Sequence, residues 1–472
     1  MKTKKISGLK ITLIAVALIL VSKLIVQLYF PETNLDGPWS LSYTFSIING
    51  HLFQSSFSHD FGDIYNLPYL YGTVTAAIYF PFAHTWLNIY SIFLINFIFI
   101  VFLLFIFYKI FKSYNYKKNT IFIVFAFAIV LSYTFYLQRP EPPILIFIGV
   151  LHLVLLKTDT AEKSIRSIVA AGVLTGLIAL LHPTAGLYCG YFILIFFYEK
   201  KSFKKIIYIY SFALATVIVL YLPVVLLDYN AWKYNLFTRV YSNEDRGANW
   251  QNIKTFFTYS VPFLFLMLIY IISISKRKMI YELFVWIILI ALIVPLGRYY
   301  YFIYLFHFLF WRMLLLPQLN ISLWTKCTGA IFFLAGLLHV LLLPVFQVFE
   351  NRDYVATFKH TIDKSRTIAI ENPLNHVWVS PFIGMSVIDL PNGRLHFKEY
   401  VISRGRKPSL NNDIFLIENL AMKNYIQSYV NAKTDSLTAE NIISPVKGLR
   451  RFGFNNSRND SLGLWKINVI HK

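Results

Sequence analysis

The sequence predicts an all-α polytopic membrane protein with about eleven transmembrane helices, followed by a small soluble domain of α/β type. Three observations predict it. Of 472 residues, 57% are hydrophobic and 18% aromatic, and only 14% are charged, where a soluble protein carries roughly a quarter. Apolar stretches approaching the roughly 20 residues that a bilayer requires recur along the first three quarters of the chain. The lysines and arginines gather in short runs between alternate stretches, the pattern that sets orientation in a membrane.

The same figures exclude other classes. A surface with 44 Phe and 32 Tyr is not that of an ordinary cytosolic enzyme, and disorder needs the opposite composition. The net charge of +21 would suit a nucleic-acid partner if it formed one patch. Its distribution between apolar stretches argues for membrane topology and no nucleic acid. Two cysteines, Cys189 and Cys327, each inside an apolar stretch, make no disulfide framework or thiolate metal site.

The spans are expected near 9–30, 87–108, 119–137, 143–157, 167–181, 184–198, 206–227, 256–275, 279–296, 299–317 and 323–347. The first has no small-residue cleavage site after it and reads as a retained anchor. Segments 143–157, 167–181 and 184–198 are short and need thin or broken helices. Segment 66–86 is long enough to span but holds Pro68, Gly72, Pro81 and His84. The positive-inside rule decides its placement. If it does not span, one side receives twenty basic residues, in groups around 2–10, 109–118, 157–166, 200–205, 276–278 and 312–326. The opposite loops then hold six: Arg139, Lys233, Arg239, Arg246, Lys254 and Arg298. If it spans, the later loops change sides and the bias is lost. It is therefore expected to lie along the outer leaflet.

This organisation gives a transmembrane domain, 1–348, whose outer first loop, 31–86, contains no Lys or Arg, and a C-terminal domain, 349–472, on the outer side. The latter is modestly basic, with alternating runs such as HVWVS at 376–380 and WKINV at 465–469. No internal repeat is visible.

The motifs of soluble catalysis are missing: no GxxxxGK[ST], GxGxxG after a strand, HExxH, CxxC or GxSxG. Chemistry must come from carboxylates, basic residues and aromatics at the membrane face. Asp36, in NLDGPWSLSYTFSIING, follows the first span by about six residues. An acid at the lipid–water boundary is suited to be a general base for a hydroxyl acceptor. It is equally suited to cap a helix beginning Gly-Pro-Trp. Arg139 and Glu141, in LQRPEPPILIF, face the same leaflet. They read as a second acid with a phosphate-orienting Arg, or as an interfacial ion pair worth about 1 kcal/mol or less.

His182, in ALLHPTAG, interrupts an apolar run at the outer face and either lines a cavity or packs. Arg298, beside three tyrosines, either clamps a phosphate or snorkels. Arg239 and Arg246, in FTRVYSNEDRGANW, are placed to reach an anionic lipid head. Arg312 is accounted for by the positive-inside rule, and His307 lies in a late span. His59, Asp60 and Asp63 are turn or capping residues or a divalent-ion site; no other metal or cofactor is implied.

The order of these pieces resembles the GT-C superfamily of polytopic glycosyltransferases, in particular the lipid A aminoarabinose transferases and protein O-mannosyltransferases. The matching points are Asp36 close after the first span, SLSYTFSIINGHLF with Asn49-Gly50, NLPYLYG, the RPE run at 139–141, TGLIALLHPTAGL, and RYYYFIYLFHFLF. Together they cover about residues 1–345. Gly37 stands where relatives often carry Glu, and NLPYL replaces their double-proline leucine motif. The resemblance implies a membrane enzyme that takes a sugar from a polyprenyl-phosphate donor, with Asp36 catalytic and Glu141 as the second acid. It leaves the acceptor (lipid, glycan or protein) open.

The expectation is thus a glycosyltransferase in a plasma membrane with its site on the outer face. The Lys, Asn, Ile, Phe and Tyr usage points to a low-GC bacterial genome. A transporter or flippase for a lipid-linked saccharide is the alternative, and would need polar residues at mid-membrane depth. A scaffold presenting the C-terminal domain is a third.

Overall fold

A computed structural model describes residues 88–114, 141–158, 164–227, 229, 261–293 and 303–316, together with five strands between residues 367 and 471. The helices are α1 (Asn88–Ser113), α2 (Glu141–Lys157), α3 (Ser164–Leu181), α4 (Pro183–Glu199), α5 (Phe203–Leu227), α6 (Val261–Ser273), α7 (Lys276–Ile293) and α8 (Ile303–Leu314). They coincide with eight of the eleven expected apolar stretches. The stretches 9–30, 119–137 and 323–347, and segment 66–86, lie outside the described residues. Among the described residues, one stretch, Phe203–Pro223, is long and apolar enough to cross a membrane. The helices from residue 96 onward belong to one compact unit and the strands to another.

Connections are short because the chain carries strong local stop signals. Pro183 cannot donate a backbone N–H and clashes with a helical residue before it. His182 is accordingly extended (φ −161°, ψ 120°), and Pro183 occupies the first turn of α4, where the missing donor costs nothing. At the other end of α4, Lys201 adopts φ 53°, the left-handed conformation that closes helices. The Lys201 and Ser202 N–H groups donate to the Tyr198 and Phe197 carbonyls, each at 3.0 Å, and α5 begins at once.

The lateral contacts fix which helices run the same way. Along α3, Gly172 meets Ile209 and Phe212 of α5, and Gly176 meets Ala213 and Thr216, so both residue numbers rise together and the two helices are parallel. By the same reasoning α8 runs parallel to α4, since Tyr188 stacks on Tyr304 while Phe196 packs on Trp311 further on. It runs antiparallel to α7, where Trp286 meets Phe308 and Glu282 meets Arg312. In α8 all twelve residues are buried. It packs against α1, α2, α4, α6 and α7, mostly through edge-to-face aromatic contacts such as Phe192–Trp311 and Phe263–Phe306.

The outward surface is apolar. In α5, Ile207, Leu214, Ile218, Val219, Leu222 and Leu226 are exposed, and so are Ile280, Phe284 and Ile287 of α7. Only 17% of the most apolar window of α5 is buried.

The C-terminal strands β1 (Thr367–Ile370), β2 (Ser386–Asp389), β3 (Ile414–Ile417), β4 (Asp435–Val446) and β5 (Leu462–His471) form one sheet, in the order β2-β1-β3-β5-β4. The pairs β1–β2 and β1–β3 are parallel, and β3–β5 and β4–β5 antiparallel. Register shifts in β4 between Asn441 and Val446 mark a bulge. The expected run WKINV lies in β5, whereas HVWVS lies outside the described residues.

Two glycines in this bundle are expected to respond with opposite sign to the same change. A Cβ at Gly176 falls 2.7 Å from both the Ala213 carbonyl oxygen and the Thr216 Cβ, whereas one at Gly190 meets only the Tyr210 hydroxyl at 3.9 Å. Gly176→Ala is expected to destabilise by about 1–3 kcal/mol through overpacking. Gly190→Ala is expected to be neutral or to stabilise by up to about 1 kcal/mol through helix propensity. Thermal unfolding of the two variants in detergent, monitored by tryptophan fluorescence, checks both.

Candidate functional site

The bundle has two chemically different ends, and the alternation of its helices decides which residues share each. The basic runs collect at one end. There the Lys205 ammonium donates to the Thr158 carbonyl at 3.0 Å, joining the start of α5 to the end of α2. Arg312, near the end of α8, reaches Glu199 at the end of α4 and Glu282 in the second turn of α7. Tyr114, just past α1, bonds His152 near the end of α2. The opposite end receives the first residue of α2, Glu141, and the α3–α4 break at His182.

Of the residues marked by sequence, the structure therefore places Glu141 and His182 at the same end, away from the basic runs. His182 is half-buried, and its backbone is held on both sides: its N–H donates to Ile178 at 2.9 Å, and its carbonyl accepts from Gly186 at 3.1 Å. Asp36, Arg139, Arg246 and Arg298 lie outside the described residues, as do His59, Asp60 and Asp63. Among the described residues, no group of three or more His, Cys, Asp or Glu converges as a metal site would.

Two buried polar arrays occupy the bundle interior toward the basic end. The first centres on Arg312, which lies at the basic end as expected but is a core residue, 4% exposed. Its guanidinium donates to both carboxylate oxygens of Glu282, with Nε to Oε2 at 3.2 Å. It also donates to Glu199 at 2.8 Å and to the Tyr270 hydroxyl at 3.3 Å. Two-point pairing of Arg with a carboxylate is the geometry that repays burial. It ties α8 to α4, α6 and α7 at one point.

The second array is a row of four rings. The Tyr114 hydroxyl lies 2.9 Å from His152 Nε2, and His152 Nδ1 lies 3.3 Å from His307 Nε2. His307 Nδ1 is bonded to the Tyr188 hydroxyl. Both histidines are fully buried, walled by Phe107, Phe192 and Trp311. The row crosses α2, α8 and α4, and each imidazole has both nitrogens engaged.

Sequence analysis passed over His152, Tyr188, Glu199 and Glu282. The signal was there for two of them: His152 in GVLHLVLL and Glu282 in MIYELFVW each interrupt an apolar run, and an ionisable group inside a span is functional or paired by default. Nothing local could have matched Glu282 with Arg312, thirty residues on.

Arg312→Met leaves the Glu282 carboxylate buried without its partner and is expected to cost about 3–5 kcal/mol. Arg312→Met combined with Glu282→Leu should recover most of that, because an apolar pair removes both desolvation penalties. Chemical denaturation of the single and double variants in micelles measures the difference. In comparisons with known proteins, no protein family, no curated protein and no solved structure matches the chain.

Proposed function

We propose that the chain is an integral membrane glycosyltransferase of the GT-C kind. It has eleven spans, residues 31–86 outside, an α/β-type outer domain from 349 onward, and its site on the outer face of a bacterial plasma membrane. The observation that carries this reading is the segregation of the bundle's ends. Helices whose connections hold Lys157, Lys200, Lys201, Lys205 and Lys276–Lys278 gather them at one end, with Glu141 and His182 at the other. Positive charge stays on the cytoplasmic side, so that arrangement supports an outward-facing acidic site. The uncovered apolar faces of α5 and α7 support a lipid environment able to hold a polyprenyl chain.

In this mechanism an acceptor hydroxyl oxygen attacks the anomeric carbon while the bond from that carbon to the phosphate oxygen breaks, inverting the centre. Asp36 takes the hydroxyl proton. The polyprenyl phosphate leaves with its negative charge met by Arg139, Arg246 and Arg298. Glu141 orients the acceptor, and His182 lines the cavity.

A second reading, a transporter or flippase for a lipid-linked saccharide, is favoured by one observation. Among the described residues, the interior holds His152, His307, Glu282 and Arg312, the kind of groups that line transport paths. Reconstituted vesicles separate the two, because a flippase moves the lipid-linked sugar with its phosphate bond intact.

Asp36→Asn, expressed at the normal level, is expected to lower transfer from a radiolabelled lipid-linked sugar in membranes by roughly 10²–10⁴-fold, the usual worth of a general base. Glu141→Gln should cost less. Unaltered transfer in Asp36→Asn rejects the catalytic role. A single cysteine at position 36 should react with an impermeant maleimide in intact cells; labelling only after lysis overturns the topology.

A further inference from the structure

The turn between α4 and α5, with the outer face of α5, has no part in the transferase reading. Residues 198–205 read YEKKSFKK, four lysines around one acid. That acid is already taken, since Glu199 accepts from Arg312 at 2.8 Å. Two of the lysines are engaged as well, Lys200 over the Phe196 ring at 4.1 Å and Lys205 on the Thr158 carbonyl at 3.0 Å. The side chains of Lys201 and Lys204 are exposed, and their ammonium groups have no partner among the described residues. Tyr198 and Phe203, both exposed and 5.9 Å apart in edge contact, flank them, as aromatic rings do where a bilayer meets water.

Lys204 also heads a stripe along α5. Ile207, Ser211, Leu214, Ile218 and Leu222 follow it at intervals of three or four residues, which keeps them on one face of the helix, and all are exposed. The opposite face of α5 is occupied by α3, through Gly172 and Gly176. From Ile207 to Ile218 the helix rises roughly 16 Å, the depth of one leaflet of a hydrocarbon core about 30 Å thick. An apolar stripe of that depth, ending in unpaired ammonium groups, is complementary to an acyl chain that ends in a phosphate.

We propose that this face is a binding site for an anionic phospholipid of the cytoplasmic leaflet. Lys201 and Lys204 hold its phosphodiester, and its acyl chains lie along Ile207, Leu214 and Ile218. A headgroup with net negative charge satisfies both lysines, whereas a choline headgroup brings a cation of its own. The site rests on the membrane placement proposed above, with the basic end cytoplasmic, and is independent of the transferase activity.

Native mass spectrometry of the full-length protein in detergent, titrated with dioleoyl phosphatidylglycerol or dioleoyl phosphatidylcholine, tests it. Phosphatidylglycerol is expected to bind at least about tenfold more tightly, and Lys201→Gly combined with Lys204→Gln to remove that preference. Lys201 has φ 53°, a conformation that glycine adopts freely, so this variant should melt at the same or a higher temperature while losing lipid. Lys204→Gln alone should weaken binding several-fold, and wild-type affinity there overturns the proposal.

The control removes two lysines at the same end of the bundle, Lys109→Gln with Lys112→Gln on α1, where Lys109 already lies over the Phe105 ring. It should leave the preference intact; equal loss in both pairs means unspecific attraction and overturns the site. Excess glycerol 3-phosphate should not displace the lipid, and displacement means a site for free phosphate instead. Release of the chain from membranes by alkaline carbonate overturns the membrane placement itself. A chain that stays in the membrane and shows no preference between the two lipids overturns only the lipid site.

Discussion

Arg312 carries a permanent charge on a helix that the rest of the bundle covers on every side, and that constraint organises its surroundings. A guanidinium in a dry interior needs a carboxylate with matched geometry. Glu282 meets it from α7, Glu199 from α4, and the Tyr270 hydroxyl from α6. Each partner sits on a different helix, so satisfying one charge positions four helices together at that level. The buried pair stabilises little by itself, because desolvation of two charges offsets most of their attraction. What it supplies is registry, since any slip of α7 along α8 would separate Arg312 from Glu282.

The high aromatic content is spent around the same helix. Around α8 the contacts are rings meeting rings, as in Phe263–Phe306, Trp286–Phe308, Phe192–Trp311 and Tyr188–Tyr304. Large flat side chains fill the space between helices held apart by their own bulk. Where bulk is absent, helices approach closely: Gly172 and Gly176 bring α3 against the backbone of α5. In a lipid setting, with no hydrophobic drive between apolar helices, close backbone approach and internal polar bonds do the work of association.

Charge divides along the length of the bundle. One end collects lysines, the buried Arg312 cluster and the Tyr114 end of the histidine row; the other collects Glu141 and the His182 break. The histidine row belongs to the interior toward the basic side. The two ends are separated by most of the length of α4, whose Pro183 and Glu199 mark them.

Much of the helical architecture was legible in the sequence, because hydropathy is a local property. The eight apolar stretches that coincide with α1 to α8 declared themselves by composition, and the break at His182 by the proline that follows it. The alternation of lysine runs implied that Lys157, Lys205 and the Lys276–Lys278 turn share an end, and the contacts at Thr158, Glu199 and Glu282 agree. The site proposed at the other end was legible only as residue types in order, and of its proposed members the described residues reach Glu141 and His182. Pairing was not legible at all. His152 and His307 are 155 residues apart, and Tyr188 and His307 are 119 apart. Which buried polar groups meet depends on how helices rotate and slide against one another, a choice made by ring packing and close backbone approach summed over the bundle. Sequence determined what each helix is made of and which way it points; tertiary structure alone decided that Arg312 is a core residue and that two histidines face each other.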